Sequence, residues 1–277
     1  MKTKRTILQS IQKDIMKGFK KIYCFNFTKL KYFFLSINHS YSKNKFVENK
    51  ISLICPTRER SKKFERMMDS LISTVTNISR IELLILIDED DKEAENYKNI
   101  INNKYSLVNI KIFIKNFNTH AKRNNFLAYK TTGNIIFPLN DDMIFVSKNW
   151  DKYIDYEFSK VNKSEPLCLW IESGKKYPYL HCDFPIINRS WYERLGYVGS
   201  EHFNFWYLDA WICDLSFRSK KYLVTPFIIV RQISADTFIN EVDKTHLRNR
   251  SGGIPKKDHE IWINTINERK NESLKLL

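Results

Sequence analysis

Four short runs of apolar, largely β-branched residues stand out in the middle of the chain: ISLIC (51–55), IELLILID (81–88), LVNIKIFI (107–114) and NIIFPL (134–139). Their length and composition predict strands. Between the first two, in SKKFERMMDSLISTV, residues Phe64, Met67, Met68, Leu71, Ile72 and Val75 fall on one stripe at helical spacing, with Ser61 placed as the N-cap. Continuous apolar strands separated by amphipathic helices predict an α/β fold with a largely parallel sheet covered on both faces by helices. In such a sheet ligands bind beyond the carboxyl ends of the strands. The residues just after each strand are therefore the ones that carry information about function.

Those residues are polar. Pro56-Thr57-Arg58-Glu59-Arg60 follows the first run and Asp88-Glu89-Asp90-Asp91 the second; a helix carrying Lys122, Arg123 and Asn124 precedes the fourth, which ends in Asn140-Asp141-Asp142. Polar groups thus collect at one sheet edge, as a nucleotide-sized site requires. Two carboxyl-type side chains one residue apart at a strand end can point the same way and grip Mg²⁺ or Mn²⁺, whose open positions accept substrate phosphates. Asn140 and Asp142 hold those alternating positions, with Asp141 beside them. The same tripeptide also makes an ordinary turn. Its place at the end of a buried strand favours the site.

Charge is spread unevenly. Residues 1–50 hold twelve lysines and arginines against Asp14 and Glu48, and so carry most of the net +15. Within them Ile7, Leu8, Ile11, Ile15, Phe19 and Ile22 recur at helical spacing, which suits either an amphipathic helix on an anionic membrane surface or a helix packed on the main domain. The remaining residues are close to balanced. That argues against a nucleic-acid-binding protein, which would spread basic residues and exposed aromatics over its body. Five widely spaced cysteines, with no CxxC pair, fit a reducing compartment rather than a disulfide or zinc framework. No apolar run reaches the ~20 residues of a membrane span, and no signal-peptide core or cleavage site is present, so a cytoplasmic protein is expected. The expected organisation is a basic extension (1–50), an α/β domain (51–248), and a mobile Gly/Pro-containing loop followed by a last helix (249–277).

Further along, FPIINRSWYERLGYVG (184–199) predicts a short N-capped helix stopped at Gly196, and FNFWYLDAWICDLSFR (203–218) a helix entered near Asp209. Asp214 is placed for an i,i+4 ion pair with Arg218. Taken in order, ISLICPTRER, LLILIDEDD, HAKRNNFLAYKTTGNIIFPLNDDMIF and FNFWYLDAWICDLSFR resemble the GT-A glycosyltransferases, especially the family 2-like group, over roughly residues 50–220. The resemblance implies a transferase that uses a nucleotide-diphosphate sugar, a UDP-sugar above all, with Mn²⁺ or Mg²⁺. It implies that Pro56, Thr57, Arg58, Glu59, Asp88, Arg123, Asn124 and Asp141 bind the nucleotide, and that Asn140, Asp142 and the late His246 hold the metal. Asp90 and Asp91 are expected to be solvated. Asp209 is implied as the base that deprotonates the acceptor hydroxyl in an inverting displacement, with Trp206 and Trp211 offered to the acceptor sugar. Lys244, Arg248 and Arg250 would close on the diphosphate. His181 and His202 receive no role.

Two departures from the family pattern matter. Asn140 stands where the family's first aspartate is usual, and Glu89-Asp90 replaces a common Gly-Ser. The acceptor implied is a glycan or lipid-linked glycan, on the cytoplasmic side and peripheral to the inner face of a membrane if residues 1–50 bind one. The competing readings are a sugar nucleotidyltransferase, for which CPTRERSKK lacks the Gly-rich loop, and a non-catalytic sugar-nucleotide or glycan-binding module of the same fold.

Overall fold

The computed structural model describes residues 47–173, 182–232 and 243–277. The basic extension, apart from residues 47–50, and His181 lie outside them. All four apolar runs are strands: β1 (Ile51–Thr57), β2 (Ile81–Ile87), β3 (Asn109–Ile114) and β4 (Ile135–Pro138). They pair in parallel in the order β3-β2-β1-β4. Every residue of β2 is buried, so both faces of the sheet are covered there, while the edge strand β3 is only partly buried.

Helix α1 (Ser61–Thr74) buries Phe64, Met67, Met68 and Leu71 of its predicted stripe, whereas Ile72 is exposed and Val75 is the half-buried C-cap. Its N-cap is Arg60 rather than Ser61. Ser61 is instead the first helical residue and donates its backbone N–H to Glu93 Oε2 at 2.8 Å. Helix α2 (Ala94–Lys104) joins β2 to β3, and α3 (His120–Tyr129) leads into β4.

The second half of the sheet was not foreseen. Strands β5 (Met143–Phe145), β6 (Cys168–Glu172), β7 (Ile186–Asn188) and β8 (Tyr222–Gln232) extend it to eight strands in the order β3-β2-β1-β4-β7-β6-β8-β5. β7 and β5 run against the rest. Helix α4 (Trp150–Phe158) follows β5. α5 (Arg189–Leu195) has the expected form, capped by Asn188 Oδ1 on the Trp191 N–H and stopped at Gly196, whose φ of 79° suits glycine. α6 (Leu208–Ser219) precedes β8, and α9 (Ile266–Leu274) packs against α6. The segment 249–258, expected to be a loop, is largely helical. α7 (Lys244–Arg250) and α8 (Ile254–Asn264) are separated only by a tight turn whose Gly252 and Gly253 have φ of 63° and 72°. Phe46–Leu277 forms one compact unit that includes these helices.

At the amino ends of the central strands lies a buried carboxylate. Glu82 sits beside Ser52 in the β1–β2 register and accepts from Ser52 Oγ (2.5 Å), Thr132 N (2.6 Å), Thr132 Oγ1 (2.9 Å) and Gly133 N (3.1 Å). Gly133 leads β4 because nothing larger fits: a Cβ there would lie 2.5 Å from Ser52 Oγ and 2.7 Å from the Lys50 carbonyl. Burial works to raise the Glu82 carboxyl, but hydrogen bonds from Ser52 and Thr132 and the charge of Lys50 bring it down to about 2. A carboxyl depressed on folding stabilises above its ordinary value near 4.5, and that contribution fades as pH falls toward 2. Glu82→Gln should therefore cost about 2 kcal/mol at pH 7, with the deficit shrinking between pH 4.5 and 2, as measured by urea unfolding at several pH values.

Candidate active site

Beyond the carboxyl ends of β1 and β4 the chain opens a cleft of about 210 Å³, and a second hollow of about 320 Å³ adjoins it through Arg58, His120, Arg123 and Arg248. The turn after β1 forms its floor. Glu59 takes a left-handed φ of 52°, a conformation held by Asp91 Oδ2, which accepts the Glu59 N–H at 2.9 Å. Asp91, expected in solvent, is buried because it ties this turn to α2 and also accepts the Glu93 N–H. Asp90 is exposed but paired with the Arg58 guanidinium. Glu59 itself does not line the cleft, whereas Pro56, Thr57, Arg58 and Arg60 do.

A relay of hydrogen bonds leads from this turn to the carboxylates. The Tyr97 hydroxyl accepts the Arg60 N–H (2.8 Å) and donates to Thr57 Oγ1 (2.8 Å), which donates to Asp141 Oδ2 (2.7 Å). Arg60 Nη1 donates to Asp141 Oδ1 at 2.8 Å. Both Asp141 oxygens are thus turned back into the protein. Burial raises its carboxyl above the usual range, Asp142 adds to the rise, and Arg60 and Thr57 oppose it.

Asp142 faces the other way, into the cleft. Its Oδ1 accepts from Gln232 Nε2 at 3.3 Å, while its buried Oδ2 has no hydrogen bond and lies 3.4 Å from His246 Nε2 and 3.8 Å from Arg60 Nη1. His246 arrives on α7, whose N-cap Asp243 accepts the His246 N–H (2.9 Å) and lies 2.9 Å from its Nδ1. Arg60 grips Asp243 with Nε (2.8 Å) and Nη2 (3.0 Å), and Lys63 adds a third contact at 2.6 Å. Burial disfavours the Asp243 carboxylate, but these bonds hold it well below the ordinary range.

Two His246 tautomers suit this geometry. Either Nδ1 accepts from Arg60 Nη2 (3.1 Å) and Nε2–H faces Asp142, or Nδ1–H donates to Asp243 and the Nε2 lone pair faces the unbonded Asp142 oxygen. In the second state two lone pairs oppose each other near the ~3 Å spacing of adjacent ligands on an ion with bonds of ~2.1 Å, and a carboxylate orients the histidine from behind. The donor set therefore fits a divalent cation. Asn140 also lines the cleft, but among the described residues no cluster of three or more carboxylates, histidines or thiols forms. A cation here would complete its shell with substrate oxygens or water.

At the end of β2, buried Asp88 Oδ2 accepts from both Arg58 Nη1 (2.7 Å) and Arg123 Nη2 (2.9 Å). Burial lowers the Arg123 guanidinium, with Asp88 opposing and the neighbouring Arg248 and Arg58 adding to the fall. Arg58, Arg123 and Arg248 together make this end of the cleft basic, with Asp88 and Asp90 balancing part of the charge. Asn124, expected to bind the nucleotide, is buried and lines neither hollow; its Nδ2 donates to the His120 carbonyl (3.0 Å) and sits 3.2 Å from His120 Nε2.

On the opposite wall Asp209 stands in the first turn of α6, where its Oδ1 accepts the Ala210 N–H at 2.8 Å. Trp206, Phe205 and Tyr207 line the cleft beside it. Trp211 does not. It is fully buried against Phe203 with its indole N–H on Tyr197, so it is a core residue and has no face for a sugar. Asp214 pairs with Arg218 as expected and also with Arg269, both at 2.7 Å. His202 pairs with Glu268. Arg60, His120, Asp183 and Gln232 also line the cleft, and Asp243 stands behind His246, none of them singled out from the sequence. The second arginine of PTRER was the available sign for Arg60.

No protein-family model matches the chain, and no curated protein matches its sequence. Solved structures do match. A mannosyltransferase from Pyrobaculum calidifontis, in complex with GDP-Man and Mn²⁺, is similar with a TM-score of 0.57 at 10% identity, over 93% of this chain and 83% of its own. TarS from S. aureus matches with a TM-score of 0.53 at 12% identity, over 80% of this chain and 49% of that one. Its fragment 1–349 in complex with UDP gives 0.50 at 13% identity, over 79% and 80%. At such identities the likeness is one of fold: the chain has the GT-A architecture, a mostly parallel sheet flanked by helices.

His120 offers a direct check on the polarity of the cleft. Burial lowers its imidazole to about 4, Arg123 adds to the fall, and Asp209 opposes it. The ring should stay neutral from pH 8 to pH 5 and gain its proton only near pH 4, as read from its side-chain shifts by NMR. A midpoint near 6.5 would contradict this lowering.

Proposed function

We propose that the chain is a glycosyltransferase that moves a sugar, in the manner of a hexosyltransferase, from a nucleotide-diphosphate sugar to an acceptor hydroxyl with inversion. The observation that carries this reading is one cleft, at the carboxyl ends of parallel strands, in which two of the lining carboxylates are held in different surroundings. Asp142 turns an unbonded buried oxygen toward His246, and Asp209 stands on the facing helix. The kinship of fold with transferases solved with GDP-Man and with UDP supports it.

In this reading the nucleotide lies along the Pro56–Arg58 turn and Asp88, with the diphosphate toward Arg58, Arg123, Arg248 and Arg250. Asp142 and His246, with Asn140 nearby, would hold Mn²⁺ or Mg²⁺, which when bound neutralises charge on the departing diphosphate. Asp141 serves differently from the first expectation: it anchors Arg60 and Thr57 and so fixes the direction of Asp142. Asp209 takes the proton of the acceptor hydroxyl as its oxygen bonds to the anomeric carbon. The bond from that carbon to the phosphate oxygen breaks, and the nucleoside diphosphate leaves with the electron pair. Neutral His120 and the aromatic wall exclude water, which would otherwise compete as acceptor.

The donor we favour is a UDP-sugar and the acceptor a glycan or lipid-linked glycan on the cytoplasmic side. Among the described residues no helix is long and apolar enough to cross a membrane. The nucleotidyltransferase alternative is disfavoured by the turn after β1, where Glu59 and two engaged arginines stand in place of a Gly-rich phosphate loop.

Turnover of a panel of nucleotide sugars, with Mn²⁺ present and absent, tests the reading. Asp209→Asn should lower kcat by about 10²–10⁴-fold while leaving nucleotide affinity within a few-fold, by calorimetry. Unaltered turnover in that variant would remove Asp209 from the mechanism. Asp142→Ala should abolish the difference in UDP affinity between Mn²⁺ and chelator, whereas a difference that persists would place the cation elsewhere.

A further inference from the structure

The loop Asn204–Tyr207 enters the helix that carries Asp209, and it is held by a residue far away in sequence. Asp258, on α8, is fully buried. Its Oδ1 accepts the Asn204 backbone N–H (2.9 Å) and the Asn204 side-chain Nδ2 (2.8 Å), and its Oδ2 accepts the Phe205 and Trp206 N–H groups (both 2.9 Å). Among the described residues no lysine or arginine pairs with it. Three successive backbone donors and one amide thus carry the whole neutralisation of a buried carboxylate. Such an arrangement is costly unless complete, and only a group that accepts on both oxygens completes it.

What the carboxylate fixes is the aromatic wall of the cleft. The loop ends at Tyr207, whose φ of 72° is a left-handed conformation that a tyrosine rarely adopts, and Asp209 follows two residues later. Neighbours brace the loop on other sides. The His120 N–H donates to the Asn204 carbonyl (3.0 Å), the Tyr207 hydroxyl meets His259 Nδ1 (2.8 Å), and the Tyr207 ring stacks on Trp262 at 5.1 Å. His259 and Trp262 lie on the same helix as Asp258. The turn at Gly252-Gly253 is what swings that helix back against the loop.

We propose that Asp258 is a positioning residue for the transfer reaction. By gathering the N–H groups of residues 204–206 it sets the strained entry of α6, and with it the placement of Asp209 and of the Phe205–Tyr207 wall against the acceptor. This rests on the transferase reading for its consequence, though not for its geometry. Asp258 does not itself line the cleft, so its effect passes through the loop.

The variant Asp258→Asn keeps the shape and withdraws one of the two accepting oxygens. It should lower kcat at least ~10-fold, because misplacing a reacting group by about 1 Å is enough for that, while UDP affinity stays within twofold. Hydrogen exchange followed by mass spectrometry should show faster exchange in residues 203–209 and unchanged protection in β1 and β2. Asp258→Ala should show the same pattern more strongly, and thermal melts of both variants tell a loosened loop from an unfolded chain. The proposal is overturned if exchange in 203–209 is unchanged. It is equally overturned if kcat, UDP affinity and protection of the central strands fall together, since that is a general loss of structure. A wild-type chain that turns over no nucleotide sugar would remove the transferase reading, while the exchange comparison would still decide whether Asp258 sets the loop.

Discussion

The site is organised around one guanidinium. Arg60 leaves the end of β1 and meets Asp141, Asp243 and His246 at hydrogen-bond distance, with Asp142 at 3.8 Å. These groups come from two separate parts of the chain, the end of β4 and the start of α7, and the shared positive charge of Arg60 joins them. With only 10% of its side chain exposed, Arg60 makes these contacts largely shielded from water, where charge-assisted bonds are strong and an unpaired partner is costly. It holds α7 to the sheet through Asp243, and so decides where His246 stands. It also helps occupy Asp141, and so leaves Asp142 as the carboxylate that faces the cleft.

Adjacent aspartates therefore do different work. Asp141 has both oxygens satisfied by protein donors, and Asp142 keeps one without a donor. Their difference does not come from the residues themselves but from the direction in which the chain leaves β4. The same division recurs on the helix that carries Asp209, where buried Asp258 holds a loop and half-buried Asp209 lines the cavity. In both cases a fully bonded carboxylate holds the chain beside one with fewer partners or more exposure.

How much of this is legible in the sequence depends on the range of the interactions involved. Strands β1, β2 and β4 were readable because each is a nearly continuous apolar run that is buried, β3 because its isoleucines and phenylalanine mark a strand even at a partly buried edge, and α5 because its cap and stop are local. Strands β5 and β7 have three residues each, too few for a periodic signal, and β8 lies between neighbours that are distant in sequence. Trp206 and Trp211 look alike on one apolar stretch, yet the first falls before the helix and lines the cleft while the second turns into the core. Ser61 resembles a cap, but Glu93 already serves the first turn. Asp91 resembles a solvated residue, but the left-handed Glu59 needs an acceptor. Arg60 and Asp258 were the least legible, because their partners lie from 37 to 186 positions away.

The Glu82 cluster and the cleft sit at opposite ends of the same strands. Glu82, Ser52 and Gly133 lock the strands together at their amino ends and take no part in the cleft, while the strand tips at the other end, with the helices and loops that face them, carry the groups that line it. A substitution in the lining thus touches none of the lock's hydrogen bonds, and one in the lock removes no residue of the lining. The lining of the cleft and the joint that holds its floor together are separate parts of the chain.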